Sequence, residues 1–446
     1  MMRTRSMLLA ALLAALTSCG GSADSRDPVA AGAEDLPPHN LLLITVDTLR
    51  ADRLGAYGHR SSITPHLDAL ADSGVVFEAA YATSSWTLPS IVSLLTAQYA
   101  GTHECTKNDA RLADSLETLA ERLSAAGFHT GAIVNHLFLS ERYGLAQGFA
   151  HFDEELVHST YADSHLAVTS PTVTKKAITW LRERSNEPGR RWLLWVHYFD
   201  PHELYQAHPI TAASLPIEHA IDRYGSEVAL TDASIGELLD EMRALEFDRN
   251  TVIALVADHG EEFGDHGGRG HRNTLYDEVL RVPCVLAGPG LGTSSGIARR
   301  VSSRVSTVDM MPTLLELLDV AAPAYLDGRS VLDVVRGGTH EASGILAELE
   351  EGPRGWDAWI DGRWKLIRAG AAGGTLLFDL ESDPGERFEV GAAHPEVVRR
   401  LEAAMEAAKT RCARKRDAFG GAVDLQLLEE ELRRLEQLGY GGDDDR

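Results

Sequence analysis

Asn40-Leu-Leu-Leu-Ile-Thr-Val-Asp47 decides the fold: Leu41 to Val46 is an almost unbroken apolar run that ends on a carboxylate. A strand with no polar face has to be covered on both sides, the condition of strands in a parallel sheet flanked by helices. Runs of the same kind recur at Gly131 to Val134, Trp192 to Val196, Thr251 to Ala257 and Val282 to Ala287. Between them, Asp109 to Ala126 and Glu227 to Leu245 carry apolar residues at spacings of three and four, the period of a helix with one buried face. Strand alternating with helix predicts an α/β fold with a doubly wound, mostly parallel sheet. Its ligand site then lies beyond the carboxyl ends of the strands. No internal repeat is visible.

The residues that follow each strand therefore carry the chemistry. Leu41 to Val46 ends in Asp47. Trp192 to Val196 runs into His197-Tyr198-Phe199-Asp200-Pro201-His202, and Thr251 to Ala257 into Asp258-His259-Gly260, with His271 a short loop later. A lone Asp after a strand is an ordinary turn residue. Three strands that deliver carboxylates and imidazoles to one edge predict a metal site instead, with Asp47, Asp258 and His259 as ligands.

Ser84-Ser85-Trp86-Thr87-Leu88-Pro89-Ser90 precedes Ile91, Val92, Leu94 and Leu95. Thr87 has the position of a helix N-cap, with Pro89 in the first turn, where a missing N–H costs nothing. The free N–H groups of that helix favour an anion held against the Thr87 hydroxyl. Thr87 is thus a nucleophile candidate as well as a cap.

Composition narrows the partners. The 446 residues are 44% hydrophobic and 24% charged, the make-up of a globular chain, and 42 Lys plus Arg against 66 Asp plus Glu leave a formal charge of −24. Phosphate polyanions are repelled by that balance, so nucleic acid is excluded as a partner. An anionic substrate needs a locally positive site, and a metal ion is its simplest source. Four cysteines cannot make a disulfide scaffold, and Cys105, Cys284 and Cys412 read as buried or free thiols.

Arg3 and Arg5 precede an apolar run from Met7 to Leu16, too short to span a bilayer and of the length of a secretory core. Leu16-Thr17-Ser18-Cys19 resembles a bacterial lipobox. Residues 1–18 are expected to be a lipoprotein signal peptide, and 19–39 a lipidated Cys19 with a flexible Gly/Ala/Ser/Pro linker. The protein is then an exported lipoprotein of the bacterial cell envelope, bound to the membrane through its lipid.

Several ordered motifs between Asn40 and Glu386 resemble the sulfatase family of the alkaline phosphatase superfamily. Asn40 to Asp47 with Gly55-Ala-Tyr-Gly58 resembles the opening strand, and Thr64-Pro65-His66-Leu67-Asp68 is similar to "TPNLD". Pro89-Ser90-Ile91-Val92-Ser93-Leu94-Leu95-Thr96 is similar to the signature "C-x-P-S-R-A-S-L-L-T", and Ala257 to Gly267 to "SDHGE…LGEHG". Val282-Pro283 with Gly288-Pro289-Gly290, Val308 to Thr313 and Asp379 to Glu386 also look like the family. The resemblance implies a divalent metal, calcium, manganese or zinc, and an ester hydrolase acting on a small-molecule, glycan or lipid-headgroup ester.

The departures bear on the chemistry. Sulfatases convert the signature Cys or Ser to formylglycine, whose hydrate expels sulfate by collapsing to the aldehyde. Thr87 stands at that position and cannot give formylglycine. The signature Arg is Ile91, the second Asp of the opening pair is Thr48, and the family's Gly-Lys-Trp-His corresponds to Val134-Asn135-His136-Leu137. Thr87 instead resembles relatives in which a threonine, activated by a divalent ion, attacks phosphorus. The expected mechanism is phosphoester hydrolysis with Asp47, Thr87, Asp258 and His259 around one metal. Sulfate-ester hydrolysis without formylglycine, or an inactive binding protein of the same fold, is the alternative.

His202 lies in a segment resembling the family's "HPH" and is expected to hold the transferred oxygens or protonate the leaving group; His271 falls near a substrate-contacting Lys of sulfatases. Asn135 and Asp200 are candidate substrate contacts, and Asp200, His202 and His271 are alternatively a second metal's ligands. His197, His266 and Trp86 read as structural or rim residues, and Arg50 and Arg269 as surface cations near the site. Residues 40–343 form the expected catalytic domain. From Gly344 short strands take over (Trp356 to Ile360, Trp364 to Arg368, Thr375 to Leu380), with a hairpin at Asp361-Gly362, as in an antiparallel subdomain over 344–392. Helices at His394 to Ala413 and Asp424 to Leu438 and an acidic tail complete 393–446.

Overall fold

The computed structural model describes residues 40–61, 63–159, 168–208, 218–291, 300–338, 344–350, 355–370 and 374–437. The expected signal peptide over 1–18, the expected linker over 19–39 and the Gly441 to Arg446 end lie outside the described residues. In chain order the elements that position the site are β1 (Asn40–Val46), β2 (Val75–Phe77), α1 (Thr87–Thr96), α2 (Leu119–Ala125), β3 (His129–Ile133) and β4 (His151–Asp153). They continue as α3 (Ser170–Arg184), β5 (Trp192–Tyr198), α4 (Ala220–Ala244), β6 (Thr251–Ala257), β7 (Cys284–Ala287) and β8 (Arg300–Val301). Then follow β9 (Ile345–Leu349), β10 (Trp356–Asp361), β11 (Trp364–Ala369), β12 (Gly374–Asp379) and α5 (Pro395–Phe419).

Eight strands form one sheet in the order β8-β2-β7-β6-β1-β5-β3-β4. Pairing is parallel throughout β6-β1-β5-β3-β4, while β7 runs antiparallel to both its neighbours. All seven residues of β1, β5 and β6 are buried, as their apolar composition requires. Register does the rest: Val46 lies opposite Tyr198 on one side and Ala257 on the other. The residues that follow these three strands therefore leave the sheet at one level, although they are some 150 and 210 positions apart in sequence.

Some elements differ from the sequence expectation. Only Leu119 to Ala125 of the Asp109 to Ala126 segment is helical. A capping box starts α2, with the Glu121 N–H donating to Thr118 Oγ1 at 3.1 Å and the Thr118 N–H to Glu121 Oε2 at 2.8 Å. Ala110 and Arg111 pair instead with Asp424 and Val423. Pro283 splits the Val282 to Ala287 run: Val282 pairs with Ala80 in a separate small sheet, and only Cys284 to Ala287 joins the main one. α4 begins at Ala220, seven residues before the expected Glu227.

The C-terminal sheet is antiparallel, in the order β9-β10-β11-β12. Asp361 pairs with Trp364, so Gly362 and Arg363 form the two-residue turn, with Gly362 at φ 57°. β9 is an additional strand that no turn signal announced. Leu346, Trp359, Leu366 and Leu377 pack on Leu401, Met405, Ala408 and Cys412 of α5, a core of their own. Cys105, Cys284 and Cys412 are free and buried. Among the described residues no helix is long and apolar enough to cross a membrane.

Candidate functional site

Asp47 and Asp258 leave β1 and β6 side by side, and the backbones of both strand ends hold the Asp258 carboxylate. The Thr48 N–H donates to Asp258 Oδ1 at 3.2 Å and the His259 N–H to the same oxygen at 2.8 Å. Thr48 takes up φ 52°, and its carbonyl accepts the Tyr224 hydroxyl at 2.8 Å, so the turn after β1 is pinned by α4. Gly260 is obligatory beyond His259, because a Cβ there would lie 2.0 Å from the Glu278 carbonyl oxygen.

One ligand atom each from Asp47, Asp258 and His259 lies within 4.8 Å of the others, the one such convergent trio among the described residues. His259 Nε2 is 3.5 Å from both Asp47 Oδ1 and Asp258 Oδ2. Thr87 Oγ1 stands over this group, 3.5 Å from Asp47 Oδ2 and 3.4 Å from His259 Nε2. Thr87 is not the N-cap: Trp86 occupies that position with an extended backbone and no side-chain cap, and Thr87 is the first helical residue. Its hydroxyl is thereby freed from capping and turned toward the carboxylates.

Electrostatics sets the requirement of this cluster. Burial, then the neighbouring charge of Glu261, raises Asp47 well above the usual carboxylate range. Burial and Asp47 push Asp258 up to about 7. Burial lowers His259, His197 and His271 to about 4 each, so the imidazoles are neutral and cannot offset the carboxylates. Asp47 Oδ1 and Asp258 Oδ2 are buried without a hydrogen bond. Two hard oxygens without hydrogen bonds, beside a neutral imidazole nitrogen, fit a divalent cation.

The other expected residues divide. His202 and His271 reach the site: their rings are 4.7 Å apart, and His271 lies 4.8 Å from the His259 ring. His202 is stacked on Phe199 at 4.6 Å. Asp200 does not face the cluster. Its Oδ1 accepts the Thr169 N–H at 2.8 Å and the Thr169 hydroxyl, and its Oδ2 the Ser170 N–H at 2.6 Å, so the carboxylate caps the start of α3. The trio Asp200, His202 and His271 is therefore not assembled as a second ion's ligand set. Asn135 joins the same cap, donating from Nδ2 to Thr169 Oγ1 at 2.8 Å, and is fully buried. Arg50 is ion-paired with Asp52 and Asp265, and His266 with Glu278, while Arg269 is exposed.

Three residues near the cluster escaped the sequence reading as functional. Glu261, fully buried, accepts from His271 Nδ1 at 2.9 Å and raises Asp47 by its charge. His197 Nε2 lies 3.4 Å from Asp47 Oδ2, while its Nδ1 is 2.9 Å from the Thr45 hydroxyl, which also accepts the Trp195 indole N–H. His136 packs on Phe199 and lies 5.9 Å from His202. Glu261 had a signal, since it stands directly after Asp258-His259-Gly260. The two histidines had none, because their neighbours come from other strands.

A sequence model of the family described as Sulfatase matches residues 39–320. A Δ4,5-hexuronate-2-O-sulfatase of Bacteroides thetaiotaomicron is 23% identical, with 80% of this chain and 85% of that protein covered. An N-acetylgalactosamine-6-O-sulfatase of the same organism is 23% identical, over 83% of this chain and 93% of its own. Among solved structures, Ps i-CgsB in complex with k-i-k-neocarrahexaose superposes with a TM-score of 0.72 at 18% identity, covering 90% of this chain and 98% of that one. BT4656 with its substrate D-glucosamine-2-N,6-O-disulfate also gives 0.72 at 18% identity, covering 84% and 98%. At these identities the structural likeness concerns the fold.

Proposed function

Because the chain belongs to the sulfatase family of ester hydrolases, we propose that it is a metal-dependent phosphoester hydrolase with Thr87 as nucleophile. The observation that carries the reading is the Thr87 hydroxyl, unconverted and free of capping, within 3.5 Å of Asp47 and His259 at the start of a buried helix. A divalent cation held by Asp47, Asp258 and His259 supplies, when bound, positive charge that lowers the hydroxyl's pKa and offsets charge on a phosphoryl oxygen. Thr87 gives its proton to water as its Oγ1 bonds to phosphorus, and the bond from phosphorus to the ester oxygen breaks. The leaving alcohol takes up a proton from water that His202 and the neutral His271 are placed to orient. Water then cleaves the phospho-threonine, phosphate departs and Thr87 regains its proton. Phosphorus is favoured over sulfur because a threonine sulfate has no aldehyde to collapse to, whereas an electrophilic phosphorus accepts water directly.

Hydrolysis of a sulfate ester is the second reading. It is favoured by the named activities of the relatives, which act on sulfated sugars. On either reading the substrate is a small-molecule, glycan or lipid-headgroup ester. The Leu16 to Cys19 lipobox supports an enzyme tethered at the cell envelope; the full chain would fractionate with membranes and its Cys19→Ala variant would not.

The deciding experiment compares p-nitrophenyl phosphate mono- and diesters with p-nitrophenyl sulfate, each with added calcium, manganese or zinc. Phosphoester turnover that falls at least about 1,000-fold in Thr87→Ala, with the fold retained, is the expected result. Thr87-dependent sulfate turnover would replace phosphorus by sulfur and keep the site. Turnover indifferent to Thr87→Ala would remove the nucleophile from the scheme.

A further inference from the structure

The loop that carries His271 does not stop at the histidine: its next residue reaches across to the turn that carries Thr87. The Arg272 N–H donates to the Ser85 carbonyl at 2.9 Å. Its guanidinium lies 4.2 Å from the centroid of the Trp86 ring, and Trp86 is the residue immediately before Thr87. The far end donates from Nη1 to Asn108 Oδ1 at 2.7 Å. Trp86 is buried and edge-on to Phe138 at 5.3 Å, so the arginine presses on a ring that cannot retreat.

The backbone of Arg272 is at φ 63°, in the left-handed region, which a residue with a Cβ occupies only at a cost. That conformation turns the chain after His271 so that the N–H meets Ser85 while the side chain covers Trp86. On the other side His271 is held by Glu261, and the Thr87 turn is held by the Ser84 hydroxyl on the Glu348 carbonyl at 2.7 Å. Arg272 is thus a direct bridge between two separately anchored pieces of the site.

We propose that Arg272 is a positioning residue that sets the placement of Thr87 relative to His271. The inference rests on the reading of Thr87 as nucleophile and extends it. Attack and leaving-group protonation act on opposite sides of one phosphorus, so their catalytic value depends on this separation. A displacement of about 1 Å in such a geometry costs on the order of 100-fold in rate. Arginine suits the task because its planar group stacks on an indole and still directs an N–H at Asn108, which a lysine ammonium cannot do together.

The test uses the metal-loaded enzyme with a p-nitrophenyl ester and the matching phenyl ester, whose leaving group needs a proton more. Arg272→Met is expected to lower kcat at least about 10-fold on the p-nitrophenyl ester and further on the phenyl ester, with KM and metal content near wild type. Arg272→Lys is expected to stay low. Wild-type kcat in either variant, or an equal loss on both esters, would overturn the proposal. Failure of the Thr87 reading is seen separately, as wild-type turnover that survives Thr87→Ala. Independently of turnover, the stability effects of Arg272→Met and Trp86→Leu should be non-additive, and additivity would overturn the clasp.

Discussion

Asp258 sits fully buried between Asp47 and His259, with one oxygen satisfied by two backbone N–H groups and the other by none. Its folded pKa of about 7 is above the ordinary 3.8, so cation-free protein holds this group most comfortably when it is protonated. The stability it contributes is complete below about pH 4 and is lost as pH rises through about 7. Cation-free enzyme is therefore expected to melt at lower temperature at pH 8 than at pH 5, by a margin worth a few kcal/mol. Asp258→Asn should flatten that dependence. An added divalent cation should raise the wild-type midpoint at pH 8, by about 2.7 kcal/mol at a hundredfold excess over its Kd, and leave the variant unchanged. Thermal melts with and without chelator measure both. A midpoint insensitive to the cation would remove the metal from this site.

Strand ends are what the sequence made legible at the scale of elements, and side-chain direction is what it left hidden. Asp47, Asp258 and His259 could be placed because a buried parallel strand exposes its carboxyl end, whatever lies between the strands. Asp200 follows β5 in the same way, yet its oxygens go to Thr169 and Ser170 at the start of α3. Nothing local separates these outcomes, since the deciding partner is 30 residues away. Asp200→Ala is accordingly expected to cost about 1 to 2 kcal/mol of stability, as the loss of a helix cap does, and to change kcat by less than about twofold. Chemical denaturation alongside the p-nitrophenyl assay checks it. A collapse of kcat at unchanged stability would return Asp200 to the chemistry. Thr118 and Glu121 show the converse case: a capping box four residues long was readable, and it places the start of α2 more firmly than the broad apolar period did.

Across the whole molecule, the C-terminal sheet braces the turn that carries Thr87. The Glu348 N–H of β9 donates to the Thr83 carbonyl at 2.9 Å, and the Ser84 hydroxyl returns a bond to the Glu348 carbonyl. Lys365 of β11, fully buried, is 2.8 Å from both Asp277 and Glu386, tying that sheet to the segment after the histidine loop. These partners raise the Lys365 pKa against the pull of burial, so the ammonium stays charged. Lys365→Met is expected to cost about 3 to 5 kcal/mol, because the buried Glu386 and the part-buried Asp277 lose their cation, and denaturant midpoints would show it. A loss below about 1 kcal/mol would mean that the carboxylates find other partners. The sequence by itself determined the parallel sheet, the level at which Asp47, Asp258 and His259 emerge, and the antiparallel C-terminal strands, because apolar period and turn chemistry are local properties. The tertiary structure alone decided that Thr87 begins its helix instead of capping it, that Asp200 and Asn135 serve α3, and that His197 and Arg272 lie beside the cluster. Each of those outcomes depends on a hydrogen bond, ion pair or ring contact whose two halves the chain brings together only after the sheet has formed.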